Sequence, residues 1–470
     1  LSQSAWHQQA EQVMINAIFE QFVEASPVSV MMRATMERIF SGEHLDELFE
    51  ETAEKQYTRE LLFSSVVGLM SLVVSGIHPS VNAAYKALEK QIGVSKPALY
   101  GKLNGLEPPI SQALVRYSHR ELAPVVNVLG HAGGSQLPGY RICIADGNHL
   151  GATEHRLGPL QATRSGPLPG QTIAVLDPEQ MLVSDVFPCE DAHAQERSLL
   201  PAMLATVKAD QVWIADRNFC TRAALLGIAQ HQAYFIIRAH QNTPWEAVDE
   251  LTAAGSSPSG DLFEQSVTIT HEGNRLTCRR VVVKLRAPTR HGDTEVAIFT
   301  NLPETVADAA KVSELYLERW SVEKMFQVIT DVFSCELKSL GYPRAALFVF
   351  CMAVVAFNLL STVKAALKAV HGAGKIEAGL SNFYLVEEVQ GTFRGMMIAL
   401  PAPVWQPFAE MSVDPFSEML KDWAAAIDLK RFMSSPRGPK KPKKKAKFDP
   451  KHPHVSTARL LKEKKNKRSP

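Results

Sequence analysis

Arg141-Ile142-Cys143-Ile144-Ala145-Asp146-Gly147 and Gln211-Val212-Trp213-Ile214-Ala215-Asp216-Arg217 repeat one pattern, a short apolar run leading straight into an aspartate. Such a run predicts a strand buried on both faces that ends in an exposed carboxylate. Two strands ending alike predict one sheet, with Asp146 and Asp216 at the same edge. Each aspartate taken alone also reads as a turn former or a helix N-cap.

A third carboxylate lies in Tyr316-Leu317-Glu318-Arg319-Trp320-Ser321-Val322-Glu323-Lys324. On a helix, spacings of three and four put Tyr316, Arg319 and Glu323 on nearly one face. A phenol, a guanidinium and a carboxylate make a poor core seam. They make a good phosphate-binding edge, because Arg offers a planar fork to phosphate oxygens and Tyr a hydroxyl and a stacking face. The alternative is an Arg319–Glu323 surface ion pair, worth little in stability. With Asp146 and Asp216, Glu323 makes a candidate oxygen-ligand set for Mg²⁺. Two such ions about 3.5 to 4 Å apart activate an attacking oxygen and stabilise a leaving one at a phosphodiester.

Asp146, Asp216 and the run Tyr316-x2-Arg319-x3-Glu323 resemble the bacterial insertion-sequence transposases of the DDE type, in the branch named after insertion sequence four. The steps of 70 residues from Asp146 to Asp216 and 107 from Asp216 to Glu323 suit that branch, in which a β-rich insertion precedes the Glu. The resemblance spans roughly residues 137–360. It implies an α/β, RNase H-like catalytic core, with Asp146, Asp216 and Glu323 as catalytic residues holding two Mg²⁺ or Mn²⁺ ions. It also implies cut-and-paste transposition of the protein's own element, with a hairpin on the excised end; because two ends must be joined together and a monomer offers one active site, the expectation is a homodimer on the DNA. Where the signature usually continues with Lys seven positions after Glu, this chain has Thr330; Lys324 and Lys338 are the nearby candidates for that DNA-contacting role.

The domain organisation follows from texture. Residues 1–135 predict an all-α domain ahead of the core. Within it, 81–103 outlines a helix-turn-helix unit, with Gly93 at the turn, Ser95 as cap and Pro97 in the first turn of the second helix. There Lys96, Tyr100 and Lys102 would face phosphates or base edges; a plain helical hairpin is the alternative. Residues 136–240 form the first part of the core. Residues 241–303 form the β-rich insertion, with strands at 262–269, 276–285 and 295–302, a loop at 255–260 and a hairpin turn at 271–274. Its Arg275, Arg279, Arg280, Lys284, Arg286 and Arg290 suit either a clamp on DNA or a solvated face, with Arg279 and Arg280 as the leading DNA-binding candidates. Trp245 is a candidate wedge between bases. Residues 304–370 carry the core helices, including Glu323, and 371–435 further helices. Residues 436–470 make a basic tail expected to be disordered when free.

The formal charge of +1 hides an asymmetry. Residues 430–470 hold 16 Lys and Arg against Asp449 and Glu463, leaving 34 basic and 47 acidic residues in the rest. An acidic body needs local patches or that tail to hold double-stranded DNA.

Six dispersed cysteines without a Cys-x-x-Cys pair predict reduced thiols and argue against a zinc cluster. His149 and His155 follow Asp146 closely enough to touch the site. The polar opening Leu1-Ser2-Gln3-Ser4 lacks a secretory pattern. The uninterrupted apolar run 345–357 falls short of the ~20 residues needed to cross a bilayer. The expectation is a cytoplasmic, nucleoid-associated protein of bacterial type. Two other functions fit the same residues: a metal-dependent nuclease without strand transfer, and an inactive or domesticated DNA-binding protein.

Overall fold

The computed structural model describes residues 3–56, 58, 60–130, 135–154, 157–289, 292–435 and 453–467, with side chains from residue 14 onward. His155, Arg290 and residues 436–452 of the basic tail lie outside the described residues.

Twelve strands are described: β1 (Arg141–His149), β2 (Pro167–Leu168), β3 (Gln171–Asp177), β4 (Leu182–Cys189), β5 (Gln211–Ala215), β6 (Tyr234–Arg238), β7 (Glu246–Ala247), β8 (Thr252–Ser257), β9 (Gly260–His271), β10 (Asn274–Leu285), β11 (Glu295–Thr300) and β12 (Val455–Ser456). Ten of them form one mixed sheet in the order β4-β3-β1-β5-β6-β11-β10-β9-β7, with β8 on β9. β1, β5 and β6 run parallel, while β3 and β4 return antiparallel on the other side of β1. The β-rich insertion is not a separate sheet. β11 pairs antiparallel with β6, so the insertion extends the core sheet sideways. The 255–260 segment, expected as a loop, carries the end of β8, with Gly255 at φ +102 where an L side chain would be strained. At the β9–β10 hairpin, Glu272 and Gly273 both have positive φ, the backbone that matches a two-residue turn to the twist of its strands.

Alternation along the strands decides what each face covers. Ile142 and Ile144 of β1 and Val212 and Ile214 of β5 enter the larger core, while Cys143, Ala145, Trp213 and Ala215 enter a smaller core on the opposite face. The larger core is built largely by helices: Pro27–Ile39, Phe63–Val74, Pro108–Leu129, Trp320–Val332 and Pro343–His371 all contribute to it. The N-terminal helices therefore share one continuous core with the sheet, and the expected boundary at 135 is not a break in packing. Two polar anchors fix that joint. Asn358 donates to Ser118 Oγ and Val183 O, both at 3.0 Å, and accepts from Val183 N at 2.8 Å. Arg116 grips Asp185 of β4 with two bonds of 2.8 Å.

The apolar run at 345–357 sits inside a 29-residue helix, Pro343–His371, which is by length and composition long enough to cross a membrane. Here 94% of its most apolar window is buried inside the protein, as the central helix of the core. All six cysteines are unpaired thiols.

The end of the chain departs from the expectation of a disordered tail. Residues 453–467 form β12, paired parallel with β2, and a helix, Thr457–Asn466. Ser456 and Thr457 are buried there, and Ser456 Oγ donates to Asp191 Oδ1 at 2.7 Å.

Candidate active site

β1 does not stop at Asp146; it runs on to His149, paired with β3, while β5 stops at Ala215. Ala145 and Ala215 are register partners, so Asp146 and Asp216 follow them on neighbouring strands about 4.8 Å apart. Asp146 shares the parity of Ile142 and Ile144, and Asp216 that of Val212 and Ile214. Both aspartates thus belong to the face that the Trp320–Val332 helix covers with Val322, Met325 and Ile329. This helix delivers Glu323 in its first turn.

The helical stripe expected over Tyr316, Arg319 and Glu323 is split in the structure. Tyr316 lies in the helix Ala309–Leu317 and Glu323 in the next, with Arg319 as N-cap between them in αR conformation, so the i, i+3, i+7 relation survives the break. Arg319 Nη1 is 2.8 Å from Glu323 Oε1 and 3.6 Å from Asp146 Oδ2. The guanidinium also packs over the Trp320 ring, at 5.0 Å. Burial tends to lower its pKa, but Tyr316, Glu323 and Asp146 outweigh that and push it up. Burial raises the Tyr316 phenol, against the pull of Arg319.

Burial and then repulsion from Asp216 push the Asp146 carboxyl up to about 7, against the attraction of Arg319 and a hydrogen bond from Gly147 N. Asp216 caps the 3-10 turn Arg217–Phe219, accepting from Asn218 N at 2.8 Å. The N-cap reading of Asp216 is therefore realised, and it leaves room for a site role in the same residue.

Two neighbouring carboxylates that repel each other in a half-buried cleft are hard oxygen donors whose charge a divalent cation would relieve. Asp146 and Asp216 fit that group. Glu323 is turned to Arg319, and among the described residues no three His, Cys, Asp or Glu side chains gather into a metal-holding cluster. The Arg319 guanidinium lies between Glu323 and Asp146.

A fourth carboxylate was not singled out by sequence. Glu196, on the 3-10 turn Glu196–Leu199, accepts from Asn218 Nδ2 at 3.2 Å. Its other oxygen lies so close to Gly147 that a Cβ there would sit 2.3 Å from it. Glu196 thus spans the residue after Asp146 and the residue two past Asp216. No spacing in the chain signals this, because the approach depends on a glycine in β1 and a turn 49 residues later.

The DNA-binding candidates scatter. Lys324 is exposed and lines a groove of about 570 Å³, with Glu318, Lys364, Lys368 and Glu377, around the helix from Glu323. Lys338 is exposed in the loop after the Glu323 helix, where its carbonyl accepts from Glu154 N at 3.2 Å. Thr330 is exposed and bonds back to Phe326 O at 2.8 Å. His149 is exposed at the end of β1.

In the helix-turn-helix unit, helices Val81–Ile92 and Lys96–Gly105 flank Gly93 in the left-handed region. Ser80 caps the first helix, whereas Ser95 makes no side-chain cap bond. Only Lys96 points outward as expected; its Nζ reaches Asn82 Oδ1 at 3.4 Å. Tyr100 packs partly against the core, and Lys102 turns inward with its Nζ 3.8 Å from the Phe49 ring centre, burial lowering its pKa. The reading of Lys102 as a groove contact is corrected by that packing.

Arg279 is corrected likewise. Its Nη2 donates to Glu264 Oε2 at 2.9 Å and its Nη1 to the carbonyls of Leu302 and Ala307 at 3.0 and 2.7 Å, so its fork is spent inside the protein. Arg280, adjacent on β10, projects to the other face and lies over the half-exposed Trp245 ring at 4.9 Å.

Residues 138–359 match the family model described as the transposase DDE domain, which supports a transposase of the DDE type. The matched stretch contains Asp146, Asp216 and Glu323. A cryo-EM structure of the piggyBac transposase synaptic complex with hairpin DNA is similar with a TM-score of 0.37 at 8% identity, over 84% of this chain and 79% of that one. No curated protein matches the chain.

Proposed function

We propose that the protein is a metal-dependent DNA transposase that cuts at the ends of its own element and joins the freed end elsewhere. The observation that carries this reading is the convergence of Asp146, Asp216 and the Glu323 helix on one face of the sheet, with Arg319 between them, inside the segment that matches the transposase DDE domain. The strand order β4-β3-β1-β5-β6, three antiparallel followed by two parallel additions, supports an RNase H-like core.

Asp146 and Asp216 would hold Mg²⁺ or Mn²⁺, joined by Glu323 once Arg319 releases it. When bound, a pair of such ions supplies Lewis-acid stabilisation of a phosphoryl oxygen and a nucleophile at neutral pH. Arg319, placed among the carboxylates and always charged, can transfer its fork to a phosphate oxygen and orient the strand. The Tyr316 hydroxyl beside it offers a second contact to the same phosphate. In this scheme water cleaves the phosphodiester at the element end and frees a 3′-hydroxyl, which attacks the opposite strand, expels the flanking 3′-hydroxyl and leaves a hairpin; a second water reopens the hairpin, and the regenerated 3′-hydroxyl carries out strand transfer. Two ends processed together call for a homodimer on double-stranded DNA. A cytoplasmic, nucleoid-associated location belongs to the same proposal.

The test is cleavage of a labelled duplex carrying the inverted repeats that flank the gene, with Mg²⁺ or Ca²⁺, for the wild type, Asp146→Asn, Asp216→Asn and Glu323→Gln. Mg²⁺-dependent nicks at the repeat boundary that disappear in all three variants support the reading. Nicks without joined product favour a nuclease, and binding without cleavage a DNA-binding protein. In the last case Thr330→Lys is the variant to examine next.

A further inference from the structure

The docked end of the chain is held by a built contact rather than by charge alone. Val455 N bonds to Gly166 O at 3.3 Å as β12 pairs with β2. Asp191 then accepts from Ser456 Oγ and from Arg459 Nε, each at 2.7 Å. Burial tends to raise the Asp191 carboxyl, but Ser456, Arg459 and the His193 N–H outweigh it and hold it low. Gln171, the first residue of β3, binds the Asp191 carbonyl at 3.3 Å and is the register partner of His149. His149 lies three residues past Asp146 on β1, about 10 Å along the strand. The latch therefore sits by the end of β1 that follows Asp146.

On this latch rides the helix Thr457–Asn466, packed near the short helix Gly158–Gln161, with Lys462, Lys465 and Lys467 exposed and Glu463 the one acid among them. Outside residues 430–470 the chain carries 34 basic and 47 acidic residues, so an ordered cluster of lysines beyond the β1 end that follows Asp146 is complementary to a polyanion. Arg459 spends its charge on Asp191 and anchors the helix.

We propose that residues 453–467 form a DNA-backbone contact, latched by Asp191 so that Lys462, Lys465 and Lys467 meet the phosphates of the duplex flanking the Asp146–Asp216 cleft. This rests on the transposase reading of that cleft. The contact is to phosphate alone and carries no sequence preference.

The experiment uses the full chain and a duplex bearing the element end, with affinity measured across a salt series for the wild type, for the triple variant Lys462→Gln, Lys465→Gln, Lys467→Gln, and for Asp191→Ala. Each phosphate that the protein ceases to neutralise lowers the slope of log K against log [salt] by about 0.9, so the triple variant should lose roughly two to three. Asp191→Ala keeps every lysine but frees the helix; it should weaken binding severalfold and open residues 453–467 to trypsin. An unchanged slope in the triple variant, with repeat-boundary cleavage intact in the wild type, overturns this inference and leaves the reading of the cleft standing. Trypsin sensitivity in Asp191→Ala with unaltered affinity overturns the latch. A wild type that binds no duplex overturns the contact and the transposase reading together.

Discussion

The Arg319 guanidinium stands 3.6 Å from the Asp146 carboxylate, bridging from the start of a helix to the middle of a strand. Its other carboxylate partner, Glu323, lies one turn on along the same helix at 2.8 Å. A cation supplied by the protein thus sits among the groups proposed to hold an external one, and under that proposal metal binding and the placement of Arg319 would be mutually dependent.

Arg319→Ala removes that internal cation. Glu323 is 40% exposed, so deleting its partner costs less than in a buried pair, on the order of 1 kcal/mol, and the variant should melt a few degrees lower in EDTA. Mg²⁺ or Mn²⁺ should restore more of the melting temperature to the variant than it adds to the wild type, because it replaces the missing charge. Thermal unfolding with and without the metals checks this; equal metal shifts in both proteins would contradict it.

Asp146→Asn should stabilise the protein at alkaline pH. The folded carboxyl is raised to about 7, so the folded state holds its proton where the unfolded state, with a carboxyl near 4, has released it. Stability is therefore present in full below about pH 4 and is lost as pH rises towards 7. At roughly 1.4 kcal/mol per unit the loss approaches 4 kcal/mol as an upper bound. Asn keeps the acceptor for Gly147 N and carries no charge. Urea unfolding in EDTA should show the variant more stable at pH 8 by 1 kcal/mol or more, on the order of the part that survives solvent relaxation, and little different at pH 4.

Glu196→Ala removes the acceptor for Asn218 Nδ2 and the group lying against Gly147. Outer residues that orient metal-holding groups typically matter about 10- to 100-fold. Cleavage, or Mn²⁺ affinity measured by calorimetry, should fall in that range while the melting temperature stays within a degree or two, on the order expected for a surface change. Glu196→Gln, which keeps an acceptor, should recover part of the loss; a loss equal to that of Ala would show that the charge rather than the hydrogen bond matters.

Arg279→Met separates a structural arginine from a DNA clamp. The change strands Glu264 and leaves the carbonyls of Leu302 and Ala307 without their donor. A loss of about 3 kcal/mol is expected in chemical denaturation, with the salt slope of DNA binding unchanged. Arg280→Met, over Trp245, is the control on the opposite face of β10.

Several features were legible because they are local. Alternation in 141–147 and 211–217 dictates which face Asp146 and Asp216 share, and a spacing of three and four survives the break at Arg319 because its backbone stays helical. The hairpin at Glu272–Gly273 follows from one glycine and a turn of fixed hand. By contrast, Lys102 and Arg279 look like surface charges in one dimension, and only their partners Phe49 and Glu264 turn them inward. Composition marked 453–467 as free tail, since it cannot register a distant carboxylate such as Asp191 that receives Ser456 and Arg459.

What the chain determines by itself is periodicity: strands, helices, the residues that alternate onto a common face, and the carboxylate set with its basic and phenolic neighbours. The tertiary structure alone decided that the insertion joins the core sheet through β6 and β11, that Glu196 enters beside Gly147, and that Arg319 rather than a third carboxylate fills the gap next to Asp146. The physical reason is that strand edges, close approaches and charge pairs are set by groups tens to hundreds of residues apart. Their energies depend on burial and distance, neither of which a linear spacing contains.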